Sequence, residues 1–80
     1  MKFTRYFLYT RERPERSGIN MEWIRKVMEN PEFEVIQKDG RIKRWGRIPE
    51  AANKWLRVVF LEDGETVHNA FFDRSFRGGL

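Results

Sequence analysis

Apolar and polar positions alternate most cleanly between Lys54 and Phe76, KWLRVVFLEDGETVHNAFFDRSF. Two runs rich in β-branched and aromatic residues flank Asp63-Gly64 there, and Asp-Gly favours a two-residue type I′ turn because both central positions need positive φ. That loop makes Glu62 face Glu65 and pairs Val59 with His68, Arg57 with Ala70 and Trp55 with Phe72. Side chains alternate across a strand, so these pairs share one face. Leu56, Val58, Phe60, Val67, Asn69 and Phe71 share the other, which is nearly all apolar and reads as core. The first face sets Arg57 diagonally beside His68, the only histidine of the chain.

A second Asp-Gly, Asp39-Gly40, separates Phe33–Lys38 from Arg41–Ile48 and predicts another tight hairpin. Its loop pairs Lys38 with Arg41, Ile36 with Lys43 and Glu34 with Trp45. Lys38, Arg41, Lys43, Trp45 and Arg47 then share one face, with Phe33, Val35, Ile42, Arg44 and Ile48 on the opposite one. IPEAAN joins the two hairpins as a polar loop, which gives a four-strand antiparallel meander.

Upstream, FTRYFLYT (3–10) is aromatic and favours strand. RERPERSG follows as an irregular link holding Pro14 and Gly18. From Ile19 the period changes: Ile19, Trp23, Ile24, Val27 and Met28 line one helical face. Asn20 suits the N-cap, Glu22 the positive helix start and Asn30-Pro31 the stop, so a helix is predicted over about 20–30. The expected fold is α+β: an N-terminal strand and one main helix packed on a mostly antiparallel four-strand meander. It forms a single domain over residues 1–80, with 76–80 as a flexible tail.

Eighty residues suffice for one small core. There is no cysteine, which excludes disulfides and thiolate metal sites, and one histidine argues against an imidazole metal centre. No metal or other cofactor is expected. MKFTRYFLYTRER lacks a signal-peptide core and no segment approaches the roughly 20 apolar residues that span a bilayer, so a cytoplasmic location and no membrane partner are expected. Lys and Arg total 16 against 12 Asp and Glu, a net charge of +4. The cations cluster at Arg41, Lys43, Arg44 and Arg47 and at Arg5, Arg11, Arg13 and Arg16, whereas acids gather at Glu29–Glu34 and at the Glu62–Glu65 turn. Such a distribution suits an anionic partner.

The strand–helix–meander order, together with DGRIKRW, the IPE loop, LRVV and LEDGETVHNAFFDR, resembles an uncharacterised family of small prokaryotic proteins related to the RelE/ParE toxin superfamily. The resemblance covers nearly the whole chain. It implies a RelE/ParE-toxin-like fold and an mRNA-cleaving toxin neutralised by an antitoxin protein, with mRNA or the ribosome as target. It supplies no catalytic residues. RERPERSG stands where the toxins usually carry a longer helical hairpin, and SFRGGL lacks the C-terminal tyrosine or histidine of some ribonuclease members.

The residues themselves offer two sets of candidates. His68, whose ordinary pKa lies near 6.5, is the general base or acid for a ribose 2′-hydroxyl, and Arg57 is the cation for the developing phosphate charge. Arg41, Lys43, Arg44 and Arg47 are candidate phosphate contacts, with Trp45 as a surface on which an unpaired base stacks. The plain structural alternatives are a histidine packed on Val59, a solvated basic strand and a tryptophan that completes the core. Trp23 and Trp55 read as core, and Asp73-Arg74 as a local ion pair. The leading expectation is therefore a toxin-type RNA-binding protein and possible metal-independent endoribonuclease. The alternative is a non-catalytic module binding a partner protein or RNA through its basic sheet face. The oligomeric state is open.

Overall fold

The computed structural model describes residues 1–78. The chain runs β1 (Lys2–Phe3), α1 (Arg5–Thr10), α2 (Met21–Glu29), β2 (Phe33–Ile36), β3 (Ile42–Ile48), a 3-10 turn (Pro49–Ala51), β4 (Lys54–Phe60) and β5 (Thr66–Phe72). All five strands form one sheet in the order β1-β5-β4-β3-β2, with β1 parallel to β5 and the other pairs antiparallel. The α+β class and the meander are as expected. The sheet has five strands rather than four because β1 joins the meander in parallel with β5, and a second helix is present.

That second helix replaces most of the expected first strand. Only Lys2 and Phe3 pair with β5, after which the Thr4 hydroxyl accepts the Phe7 N–H at 3.1 Å and starts α1. Phe3 is half-buried and Phe7 and Thr10 are buried, an i, i+4, i+7 spacing that fits one helical face. Tyr6, Leu8 and Tyr9 stay exposed. Aromatic composition favoured a strand, and the burial pattern overrode it.

α2 forms as predicted. Asn20 caps it by accepting the Glu22 N–H at 2.8 Å, and Ile24 and Val27 are its buried residues. They pack with Phe7 and Ile19 over Ile48, Leu56, Val58, Phe60, Val67 and Ala70, which form one face of the sheet. Gly46 is what lets α2 approach: a Cβ there would lie 2.9 Å from Val27 Cγ2.

Both Asp-Gly loops are longer than two residues; the first register departs from expectation throughout, and the second only beyond a bulge. In the first, Gly40 N–H donates to Gln37 O and Gln37 N–H to Arg41 O, so Lys38–Gly40 is the loop. Phe33 then pairs with Trp45, Glu34 with Arg44, Val35 with Lys43 and Ile36 with Ile42. A one-residue slip turns every β2 side chain to the other face. In the second, Leu61 pairs across to Thr66 over a loop of Glu62–Glu65. Phe60 pairs with Val67, but a bulge at His68 then shifts the ladder, so Val59 meets Asn69, Arg57 meets Phe71 and Leu56 meets Phe72. Asn69 and Phe71 thereby exchange faces with Ala70 and Phe72.

Candidate nucleic-acid interface

The corrected registers sort the sheet into two unlike faces. Both helices deliver their buried side chains to the face of Leu56, Val58 and Phe60. The opposite face carries Lys43, Trp45 and Arg47 from β3, Trp55, Arg57 and Val59 from β4, Asn69 and Phe71 from β5, and Phe33 and Val35 from β2. Trp45 and Val59 are buried there yet stand outside the helix-side core.

Arginines and aromatic rings alternate across this open face. Arg16, from the link after α1, lies 5.5 Å from the centroid of Phe71 and donates from Nη1 to Asn69 Oδ1 at 2.7 Å. Arg57 lies 5.0 Å from Phe71 on β5 and 5.8 Å from Trp45 on β3. Trp45 stacks on Phe76 at 4.6 Å and 10°, and Phe76 meets Trp55 and Phe33 edge-on at 5.0 and 5.3 Å. Arg47 closes the row, 4.6 Å over Trp55. Each cation is drawn to the negative face of a ring, which fixes guanidinium planes that a free arginine would leave mobile. The expected flexible tail of residues 76–80 thus begins with a packed ring, and Gly79 and Leu80 lie outside the described residues.

Asp73 ties the row together. Its carboxylate accepts the Trp45 indole N–H at 3.0 Å and lies 3.8 Å from Arg57 Nη1. Burial opposes its ionisation, but the donors from Trp45 and Ser75 and the Arg57 charge outweigh that and hold its pKa below the ordinary 3.8. Its ionic partner is Arg57, not the neighbouring Arg74. The Nε groups of Arg16 and Arg57 are buried without a hydrogen-bond partner among the described residues.

The candidates from sequence divide into three groups. Lys43, Trp45, Arg47 and Arg57 come together on the open face, with Lys43 between Val35 and Val59. Arg44 faces the helix side, where Nε donates to Glu34 at 2.7 Å, Nη1 caps the Met28 carbonyl of α2 at 3.2 Å, and the guanidinium lies over Phe60. Arg41 is exposed just after the first loop, 3.8 Å from Asp39. His68 sits at the bulge: Nδ1 is 3.1 Å from the Thr4 hydroxyl and its ring stacks on Tyr6 at 4.9 Å. Burial, and secondly the Arg41 charge, push its pKa below 6.5. Thus His68 belongs to the α1 edge and Arg57 to the aromatic row, and the two share no contact partner among these interactions.

Where β4 begins and β5 ends, two clefts adjoin the row. One, of about 440 Å³, is lined by Glu15, Arg16, Lys54, Phe71, Phe72 and Arg74. The other, of about 400 Å³, includes Trp55, Phe76 and Arg77. Phe71 and Phe76 were not among the sequence candidates, Arg16 was named only within a basic cluster, and Trp55, expected in the core, lies on the open face beside Arg47. The bulge concealed Phe71, and no local pattern brings Arg16 to a face built by β4 and β5. Among the described residues no cluster of histidine and carboxylates could hold a metal ion, and no helix is long and apolar enough to cross a membrane. No family model matches the chain, and neither the curated proteins nor the solved structures give a match.

Proposed function

We propose that the protein is a single-stranded RNA-binding module that uses its open sheet face and the adjoining basic clefts. The observation that carries this reading is the row Arg16–Phe71–Arg57–Trp45 with Arg47 on Trp55, in which cations and aromatic rings alternate on one sheet face. Phosphates take charge-assisted hydrogen bonds from Lys43, Arg47, Arg74 and Arg77, none of which has an ion-pair partner among the described residues. Arg57 is different, because Asp73 already neutralises it; it positions Trp45 and Phe71 and is not a phosphate hand. Unpaired bases stack on the rings that remain accessible, chiefly Trp55, Phe33 and Phe71, for about 1–3 kcal/mol each. Fluorescence anisotropy with a labelled single-stranded RNA tests the surface. The Lys43→Ala/Arg47→Ala pair weakens binding at least tenfold, while Arg25→Ala on the exposed side of α2 leaves it unchanged. Equal losses in both variants would place the RNA elsewhere.

A second reading, the mRNA-cleaving toxin neutralised by an antitoxin, is favoured by one observation. His68 lies beside the Thr4 hydroxyl, with Nδ1 at 3.1 Å, and burial, then the Arg41 charge, lower its pKa below 6.5, which favours the neutral imidazole. A neutral imidazole beside a cation could take a 2′-hydroxyl proton while the cation holds the phosphate. Growth arrest on expression, relieved by His68→Ala in a variant whose melting is unchanged, would favour the toxin. RNA left intact with ribosomes present would leave the binding module.

A further inference from the structure

The two edges of the sheet are finished differently. On one side β1 is short and α1 follows it along β5, locked there by the Thr4–His68 contact. On the other, β2 ends the sheet with all four residues exposed, including Phe33 at 36%, Val35 at 50% and Ile36 at 67%. Natural edge strands are protected by proline, charged side chains (lysine above all), a bulge or a covering element. Within its length β2 has only the charge of Glu34, which Arg44 pairs at 2.7 Å.

We infer that the β2 edge pairs with β2 of a second copy of this chain. Gln37 N–H donates inward to Arg41 O, so alternation along an antiparallel ladder turns the backbone N–H and C=O of Glu34 and Ile36 outward. Those four groups are self-complementary about a two-fold axis through Val35. Glu34 of one copy pairs with Ile36 of the other, Val35 meets Val35, and Phe33 lies beside Gln37. The same register brings the Glu32 end of β2 near the Lys38 loop of the other copy; the Glu32 carboxylate accepts the Arg47 N–H at 2.7 Å but keeps its charge, and Lys38 has no ionic partner among the described residues. Opposite charges at the two ends of a strand favour antiparallel self-pairing over parallel pairing. The axis is perpendicular to the sheet, so both open faces lie on one side of a continuous ten-strand sheet. The inference stands independently of what those faces bind.

The absence of cysteine makes the register directly testable. Val35 on the axis is a non-hydrogen-bonded pair, with Cα atoms about 4.5 Å apart, within disulfide reach. Sedimentation equilibrium of the unaltered chain shows its mass rising from 9.8 kDa towards twice that value with concentration. Under mild oxidation Val35→Cys forms a disulfide dimer rapidly, whereas Ile36→Cys, which faces Glu34, does so at least tenfold more slowly. Val35→Lys places two ammonium groups face to face and stays monomeric, with the melting temperature of the wild type at dilutions where the wild type is also monomeric, because the site is exposed. A wild type that remains at 9.8 kDa at millimolar concentration would overturn the inference, leaving the edge open or to another chain. So would equal cross-linking at both positions, or a Val35→Lys protein that still dimerises.

Discussion

The two faces of this sheet are built from the same strands and solve different problems. On the helix side, Leu56, Val58, Phe60 and Val67 are wholly buried against Ile24 and Val27 of α2, so apolar area removed from water stabilises that face. On the open side, arginines lie over Phe71, Trp45 and Trp55, and cover comes from Arg16 of the link after α1 and from the segment after β5. The contrast teaches that burial alone does not identify core. Trp45 is 7% exposed, yet what surrounds it is a carboxylate, a guanidinium and a stacked ring. One face holds the molecule together, and the other holds cations in fixed places.

Substitutions graded across the two faces should break that contrast if it is wrong. Ile24→Ala opens a cavity in the closed face and should cost about 2–5 kcal/mol, read from denaturant midpoints at constant slope. Arg57→Ala leaves the Asp73 carboxylate without its cation and should cost about 1–3 kcal/mol, part of which Asp73→Asn in the same chain restores. Arg47→Ala removes only an exposed cation from Trp55 and should change stability by less than about 1 kcal/mol while weakening RNA binding. A stability loss at Arg47 as large as that at Ile24 would mean that the open face is core.

The pH response sharpens the same distinction. Hydrogen bonds from the Thr66 hydroxyl and from the Glu65 and Thr66 N–H groups lower Asp63 from 3.8 to about 2. A depressed carboxyl stabilises the fold above its unfolded pKa, and that contribution disappears as pH falls from near 3.8 towards about 2. Asp63→Asn should flatten the denaturation midpoint in that window. His68 is also depressed, below 6.5, mainly by burial, so its neutral form favours the folded state. Its contribution is present above about 6.5 and is lost as pH falls through the folded pKa. His68→Gln should make the midpoint less sensitive to pH there, with the smallest effect of the series.

Much of the closed face was legible in the sequence. Ile24 and Val27 follow helical spacing between an asparagine cap and Asn30-Pro31, and Leu56, Val58 and Phe60 alternate strictly. The open face was legible in composition but not in detail. Asp-Gly serves a two-residue turn, but it serves equally well a longer loop in which glycine alone takes positive φ, as Gly40 and Gly64 do at 91° and 71°. Asp39 and Asp63 favour the longer loops by accepting the N–H of Arg41 and Glu65, two residues on. The slip in the first hairpin moved Phe33 and Val35 to the basic face. The bulge at His68, which no local pattern signals, did the same for Asn69 and Phe71. α1 was missed because its aromatic residues favour a strand wherever no tertiary partner decides.

If Lys43 and Arg47 of the open face meet RNA phosphates, binding must weaken steeply as salt rises. Affinity for a single-stranded RNA should fall with salt by roughly 0.7 log unit per log unit for each phosphate contacted. The Lys43→Ala/Arg47→Ala pair should lower that slope by about two contacts' worth. Binding that is flat between low and physiological salt, or a slope unchanged in the pair, would contradict the account and leave these charges as a solvated surface.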